Sequence, residues 1–291
     1  MTFKGEAIAY GAATIVNAIA LGKGAALGVD LWTKAEVILT DDPNIIQGEI
    51  ISDSTEDTSL IEKAVDRVFR YFDLQKEVGA KIKTWSNIPI ARGLKSSSTA
   101  ANAVVLATLK VLNKKIDDLS IVSLGVDAAF EAGVTITGAF DDACASFFGG
   151  VVMTDNLNRK LLKRNQIPEN ATILFFVPKQ KVYTANTKIS RLKSIKSLVN
   201  IAFREAMEGN YWTALSLNGF IYSSVLGYGS DLAFESLEAG ALASGLCGKG
   251  PAVTAVVTND KIDEVKSVFQ RYDGDIIETC INHKKAAVIE K

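Results

Sequence analysis

The chain predicts an α+β fold in two domains, with helices layered on mainly antiparallel sheets. Three observations carry this. Segments with apolar residues at every second position are interspersed with segments at helical spacing. A polar stretch, 155–170, parts them near the middle, which gives domains at 1–157 and 158–291. And 291 residues that are 48% hydrophobic and 22% charged can fill two ordinary cores and are too apolar for general disorder.

Composition also excludes function classes. A net charge of -1 offers no general attraction to nucleic acid or to an anionic membrane. Cys144, Cys247 and Cys280 lie far apart without a CxxC, so neither a disulfide framework nor a zinc site is expected, and a reducing cytosol fits. No apolar run reaches ~18 residues, and no basic region followed by a long apolar run opens the chain. The expectation is a soluble, cytoplasmic protein.

In order, residues 7–20 are small and apolar. Leu21-Gly22-Lys23-Gly24-Ala25-Ala26-Leu27-Gly28 imitates a dinucleotide fingerprint, with Asp41 or Asp42 as the ribose acid. That fingerprint needs a helix to start at its glycines. Here Val29, Leu31, Thr33, Ala35, Val37 and Leu39 alternate, so a strand follows. The fingerprint is rejected, and the glycines are expected to form a tight turn between strands. Asp41-Asp42-Pro43-Asn44 is a turn, and 45–52 a strand. Ile61, Ala64, Val65, Val68 and Phe69 give a helix over 59–71. A strand at 80–85 precedes a buried helix at 100–112, another helix at 119–131 and a strand at 151–154. The second half reads as a strand at 171–178, helices through 190–226 and 232–242, a strand at 252–258, a helix at 261–272 and a strand at 275–280. No internal repeat is present.

The chemistry concentrates between the 80–85 strand and the helix after it. Pro89, Ile90, Ala91, Arg92, Gly93, Leu94, Lys95, Ser96, Ser97, Ser98 and Thr99 form a loop with a glycine, a lysine and four successive hydroxyls. A helix start presents unpaired N–H groups and the positive end of the helix dipole, a ready site for an anion. Gly93 permits close backbone approach, Lys95 adds a cation, and a serine hydroxyl can ligate magnesium on phosphates. Serines also cap helices, but four exceed what one cap needs. No GxxxxGK[ST] occurs, so this is not a P-loop.

Two further features matter. Asp141-Asp142 lies between apolar stretches, and a carboxylate near a phosphate loop can accept the proton of an attacking hydroxyl. Adjacent residues project differently, so at most one of the two is expected to face a given site. Gly245-Leu246-Cys247-Gly248-Lys249-Gly250-Pro251 is a glycine-rich turn that by itself reads as a plain connection. His283, the only histidine, lies near the C-terminal end, so no histidine base is expected.

The order of these motifs resembles the GHMP superfamily of small-molecule kinases. Tyr10-Gly11 comes early, Pro-x3-Gly-Leu-x-Ser-Ser in the middle and Ser-Gly-x2-Gly-x-Gly-Pro late. Lys95 stands where the superfamily has a second glycine, and Ser98 where it has an alanine. With Gly-Ala-x-Thr-Ile-Val-Asn-Ala-Ile-Ala and Thr-Gly-Ala-Phe-Asp-Asp-Ala, the pattern is similar to the archaeal-type shikimate kinases. The resemblance implies a ribosomal protein S5 domain 2-like N-terminal domain and a ferredoxin-like C-terminal domain, with the site between them. It implies ATP and Mg²⁺ as cofactors, residues 89–98 around the nucleotide, and Ser97 and Glu131 on the metal. It implies Asp142 as the catalytic carboxylate, because Asp142 and Ser146 meet the family's Asp-x3-Ser spacing; Asp141 is the second choice. The substrate would be shikimate, a small molecule, with Lys188 and Arg191 as carboxylate partners. Homoserine kinase, mevalonate kinase and a non-catalytic sensor of the same fold are the rivals. A homodimer stays open.

Overall fold

A computed structural model describes residues 4–89, 93–135, 138–167, 171–179 and 189–290. In chain order the first half runs β1 (Lys4–Val16), β2 (Lys23–Thr40), β3 (Ile46–Ile50), α1 (Ser59–Tyr71), β4 (Gly79–Ser86), α2 (Ser96–Val111), α3 (Asp118–Glu131), α4 (Phe140–Phe148), β5 (Val151–Asp155) and β6 (Lys160–Asn165). The second runs β7 (Ala171–Pro178), α5 (Ile189–Ser194), α6 (Lys196–Glu208), α7 (Tyr211–Leu226), α8 (Asp231–Glu238), β8 (Ala243–Leu246), β9 (Val253–Thr258), α9 (Ile262–Phe269), β10 (Gly274–Cys280) and β11 (Ala287–Val288).

Among the described residues the strands form two sheets, of seven and four strands. The first has the path β11-β1-β2-β4-β3; β5 joins the early part of β2, and β6 joins β5. Only β3 and β4 run parallel within it. The second, β10-β7-β9-β8, is antiparallel throughout. The α+β expectation holds. The β5–β6 hairpin carries the first sheet beyond residue 157, and β11 returns to it from the C-terminal end.

Three cores follow from the sequence pattern. Helices α1 to α4 cover one face of the first sheet around Val68, Phe69, Val104 and Phe140. Helix α2 is buried from Ala101 to Leu109, which is why it is apolar on every side there. A second core joins β1, β2 and β5 to β7, β9, α6 and α7 through Ile15, Leu27, Met153, Phe175 and Tyr222. A third lies under α8 and α9, around Phe176 and Phe269. No helix among the described residues is long and apolar enough to cross a membrane.

Several local expectations are corrected. Gly24 and Gly28 sit inside β2, and the turn falls before them at 17–22. Gly24 makes room: a Cβ there would collide with the Asp141 carboxylate. Helix α2 starts at Ser96 rather than 100, which puts the hydroxyls in its first turn. Helix α8 stops at Glu238, and Gly245 and Leu246 belong to β8, not to a turn.

Candidate active site

The site begins at the head of α2. Lys95, the residue before the helix, is left-handed at φ 64°, and no cap side chain bonds to the helix start. The first-turn N–H groups therefore have no partner within the helix and none from the cap position. Thr99 Oγ1 donates instead to the carbonyls of Tyr10 and Lys95, 3.2 Å each, pinning the helix to β1. Ser98 is buried, while Ser96 and Ser97 are half-buried and line a cavity with Thr33, Leu60, Ile61 and Val134. Pro89 is half-buried and Leu94 fully buried at the loop's two ends; Ile90, Ala91 and Arg92 lie outside the described residues.

Gly93 has φ 84°, and a Cβ there would stand 2.9 Å from the Gly250 carbonyl. Its thiol neighbour Cys247 donates to the Gly93 carbonyl at 3.5 Å. The glycine-rich turn at 247–251 is thus packed on the phosphate-type loop, and is more than a plain connection.

A second, polar cavity lies beside the loop. Its walls include Thr14, Asn17, Lys95, Asp141, Asp142 and Lys249. The two aspartates open α4 and are 3% and 5% exposed. Both line this cavity, contrary to the expectation that one would face away; each finds a different partner. Lys95 Nζ sits 3.0 Å from Asp142 Oδ2, with side chains 14% and 7% exposed. Asp142 Oδ1 has no partner among the described residues, and neither has Thr14 Oγ1. Asp141 Oδ1 accepts a 2.8 Å bond from Asn156 Nδ2, itself buried.

Charge separates the pair. Burial, then the neighbouring Asp142 charge, pushes the Asp141 carboxyl up to about 7. Burial works against the Lys95 ammonium, yet the attraction of Asp142 holds it above the usual lysine range. Asp142 thus has a fixed cation on one oxygen and an open acceptor on the other. That is what a group receiving a hydroxyl proton needs.

Other expected residues are placed elsewhere. Glu131 ends α3, where Arg70 grips it at 3.0 and 2.7 Å and Arg67 at 2.8 Å. Partial burial opposes ionisation, but these arginines hold its carboxyl below the usual range. It lines neither cavity, so the structure does not bring it to Ser97. Arg191 is exposed on α5 and lines neither cavity; Lys188 lies outside the described residues.

Sequence reasoning gave no role to Lys249, Thr14, Asn17 or Asn156. Thr14 and Asn17 belong to the Gly11–Ala20 motif, which was a usable signal. The turn carrying Asn17 is clamped by α7: Asn17 N donates to Asn218 Oδ1 at 2.9 Å, and Tyr222 OH donates to the Asn17 carbonyl at 3.2 Å. No such signal marked Asn156.

Comparison with known proteins agrees with this geometry. Residues 59–150 match the GHMP kinases N terminal domain. A shikimate kinase of Methanosarcina mazei is 46% identical over 288 residues, 98% of this chain and 97% of that protein. One of Pyrococcus abyssi is 42% identical over 281 residues, 96% and 99% of the two chains. Among solved structures, Methanococcus jannaschii mevalonate kinase superposes with a TM-score of 0.76 at 16% identity, covering 95% of this chain and 98% of that one. Homoserine kinase from Cytophaga hutchinsonii gives 0.75 at 17% identity, covering 99% and 98%. At such identity the structural likeness speaks for the fold, the GHMP kinase fold, and the sequence likeness for the family. The chain belongs to the GHMP kinases and, within them, to the family of archaeal shikimate kinases.

Proposed function

We propose that this chain transfers the γ-phosphoryl group of ATP to a hydroxyl of shikimate, giving shikimate 3-phosphate and ADP. The observation that carries the chemistry is the Lys95–Asp142 pair, with Asp142 Oδ1 left open beside an uncapped helix start. The substrate is carried by the relatives' name together with a polar cavity fitted for hydroxyls.

The nucleotide phosphates lie against the first-turn N–H groups of α2, where the dipole favours them. The apolar cavity at Ser96 and Ser97 takes the base. The acceptor occupies the polar cavity. Its hydroxyl oxygen forms the bond to the γ-phosphorus, the bond from that phosphorus to the bridging oxygen of ADP breaks, and the hydroxyl proton passes to Asp142 Oδ1. Lys95, 3.0 Å from its other oxygen, holds Asp142 in place until that moment. Positioning and charge neutralisation supply most of the acceleration, as in phosphoryl transfer generally.

Mg²⁺ neutralises phosphate charge when bound. Of its two expected ligands Ser97 fits, since its hydroxyl lines the nucleotide cavity, whereas Glu131 is held by arginines. No cluster of three His, Cys, Asp or Glu among the described residues could hold a metal alone. Ser97 would thus be the side chain of this chain that helps hold the ion beside the nucleotide.

The test is ADP release with shikimate, homoserine, mevalonate and no acceptor. Shikimate alone is expected to be turned over. Robust phosphorylation of homoserine or mevalonate overturns the substrate, and no release with any acceptor points to a sensor.

A further inference from the structure

Lys249 stands on the wall of the polar cavity. It belongs to the 247–251 loop, lines the same cavity as the aspartates of α4, and is half-buried. No carboxylate among the described residues pairs with it. Its neighbours make this costly. Burial and then the nearby Lys95 charge drive its ammonium below the usual lysine range, with Asp142 opposing only in part. Lys95 and Asp142 neutralise one another, and Asp141, pushed up to about 7, adds only a partial negative charge near neutrality. The cavity therefore keeps one uncompensated cation.

The rest of the lining says what that cation meets. Thr14 Oγ1 and Asp142 Oδ1 are buried without partners, one able to donate or accept and the other to accept. One cation and two hydroxyl-binding atoms describe a hydroxylated carboxylic acid. The phosphates have their own place at the α2 start, whose Ser96 and Ser97 line the other cavity. Arg191, the cation expected from sequence for this task, is exposed and lines neither cavity.

We infer that Lys249 takes the carboxylate of the acceptor and so selects hydroxylated acids over neutral polyols, an inference that rests on the acceptor reading above. The ion pair forms in the ground state, before any phosphorus–oxygen bond changes. Its loss should therefore appear in KM for the acceptor more than in kcat.

The experiment uses the full chain as wild type, Lys249→Met and Lys249→Arg, with shikimate and its methyl ester as acceptors. Losing one partner of a desolvated charge pair typically costs about 30-fold or more in affinity. Wild type is expected to prefer shikimate to the ester by at least that factor in kcat/KM. In Lys249→Met the preference should collapse: shikimate loses through KM, while the ester and the KM for ATP are unchanged. Lys249→Arg should recover part of the preference. Lys249→Gln repeats the measurement if the methionine variant does not fold. A preference kept in Lys249→Met and Lys249→Gln overturns the inference, because the carboxylate is then bound elsewhere. An equal fall in kcat for both acceptors overturns it too, by assigning Lys249 to the phosphoryl group. Wild type inactive on shikimate overturns the proposed function first and the inference with it, so the two failures are distinguishable.

Discussion

The two cavities flanking the α2 start differ in how their polar groups are held. The one lined by Thr14, Lys95, Asp141, Asp142 and Lys249 is polar, with buried charges and open hydrogen-bonding atoms. The one lined by Leu60, Ile61, Ala100 and Val134 exposes mostly carbon, though Glu56, Asp57, Ser96 and Ser97 also line it. A charged cavity of this kind is costly to keep, since buried polar groups without partners destabilise the fold. Its persistence beside an inexpensive apolar one is what marks it for chemistry, and leaves the apolar one for binding. If that division is right, substitutions in the first should change kcat or KM for the acceptor, and those in the second should change KM for the nucleotide.

The largest effect is expected at Asp142. Asp142→Asn keeps the shape but cannot take the proton, and should lower kcat ~10²–10⁴-fold with little change in either KM. Steady-state kinetics with parallel thermal unfolding decide it; near wild-type turnover would strip the polar cavity of its base. Next comes Lys95→Met, which leaves the Asp142 carboxylate buried without its cation. Breaking a buried pair from one side costs about 3–5 kcal/mol, whereas removing both charges costs less. Lys95→Met combined with Asp142→Asn should therefore unfold at a higher temperature than Lys95→Met alone, and the reverse order would show that the pair is not coupled.

Val134→Asp adds a carboxylate among the carbon of the apolar cavity, beyond the Glu56 and Asp57 that already line it. It is expected to raise KM for ATP about tenfold, on the order of 1–2 kcal/mol for an unpaired charge near apolar ligand surface, with kcat kept. A rise in KM for shikimate instead would exchange the roles of the two cavities.

The smallest effect in turnover is expected for Asp141→Asn, where the readout is stability against pH. The Asp141 carboxyl titrates near pH 7 when folded and near its ordinary 3.8 when unfolded. Between those values the folded protein holds a proton the unfolded chain has lost, so stability falls as pH rises through this window. Asparagine has no proton to lose. Its unfolding temperature should gain on wild type from pH 4 to pH 7 and keep a constant lead above, in a series of melts across that range. Parallel curves would mean that Asp141 ionises freely.

Much of the polar cavity was legible in the sequence because its parts are local. The run Gly93 to Thr99 announces a helix start with surplus hydroxyls, and Asp141-Asp142 stands out between apolar segments. What the sequence could not show depends on residues far apart. Gly24 carries the same signal whether it makes a turn or admits a side chain, and only the Asp141 carboxylate beside it distinguishes the two. Glu131 matches the resemblance as a metal ligand, but nothing in the sequence around it reveals that Arg67 and Arg70 of α1 face it. Lys249 was hidden inside a turn that looked like a connector. The apolar cavity gave no signal, since Leu60, Ile61 and Val134 are indistinguishable from core residues until the chain folds.

The return of the last strand bears on how the molecule comes apart. Val288 and Ala287 pair with Ala7 and Ile8, almost the whole chain length away. On the way, Asn282 N donates to the Gly28 carbonyl, the Asn282 carbonyl accepts from Gly150 N, and Ala286 N donates to the Phe147 carbonyl at 2.7 Å. Phe147 is in the last turn of the helix whose first turn bears both aspartates. The final residues thus act as a seam between the chain ends, and contacts this distant in sequence form late and slowly because a long loop must close first. Unfolding is accordingly expected in one transition, without a stable free-standing first half. Fraying of the seam would loosen the base of α4 and blunt catalysis before either sheet melts.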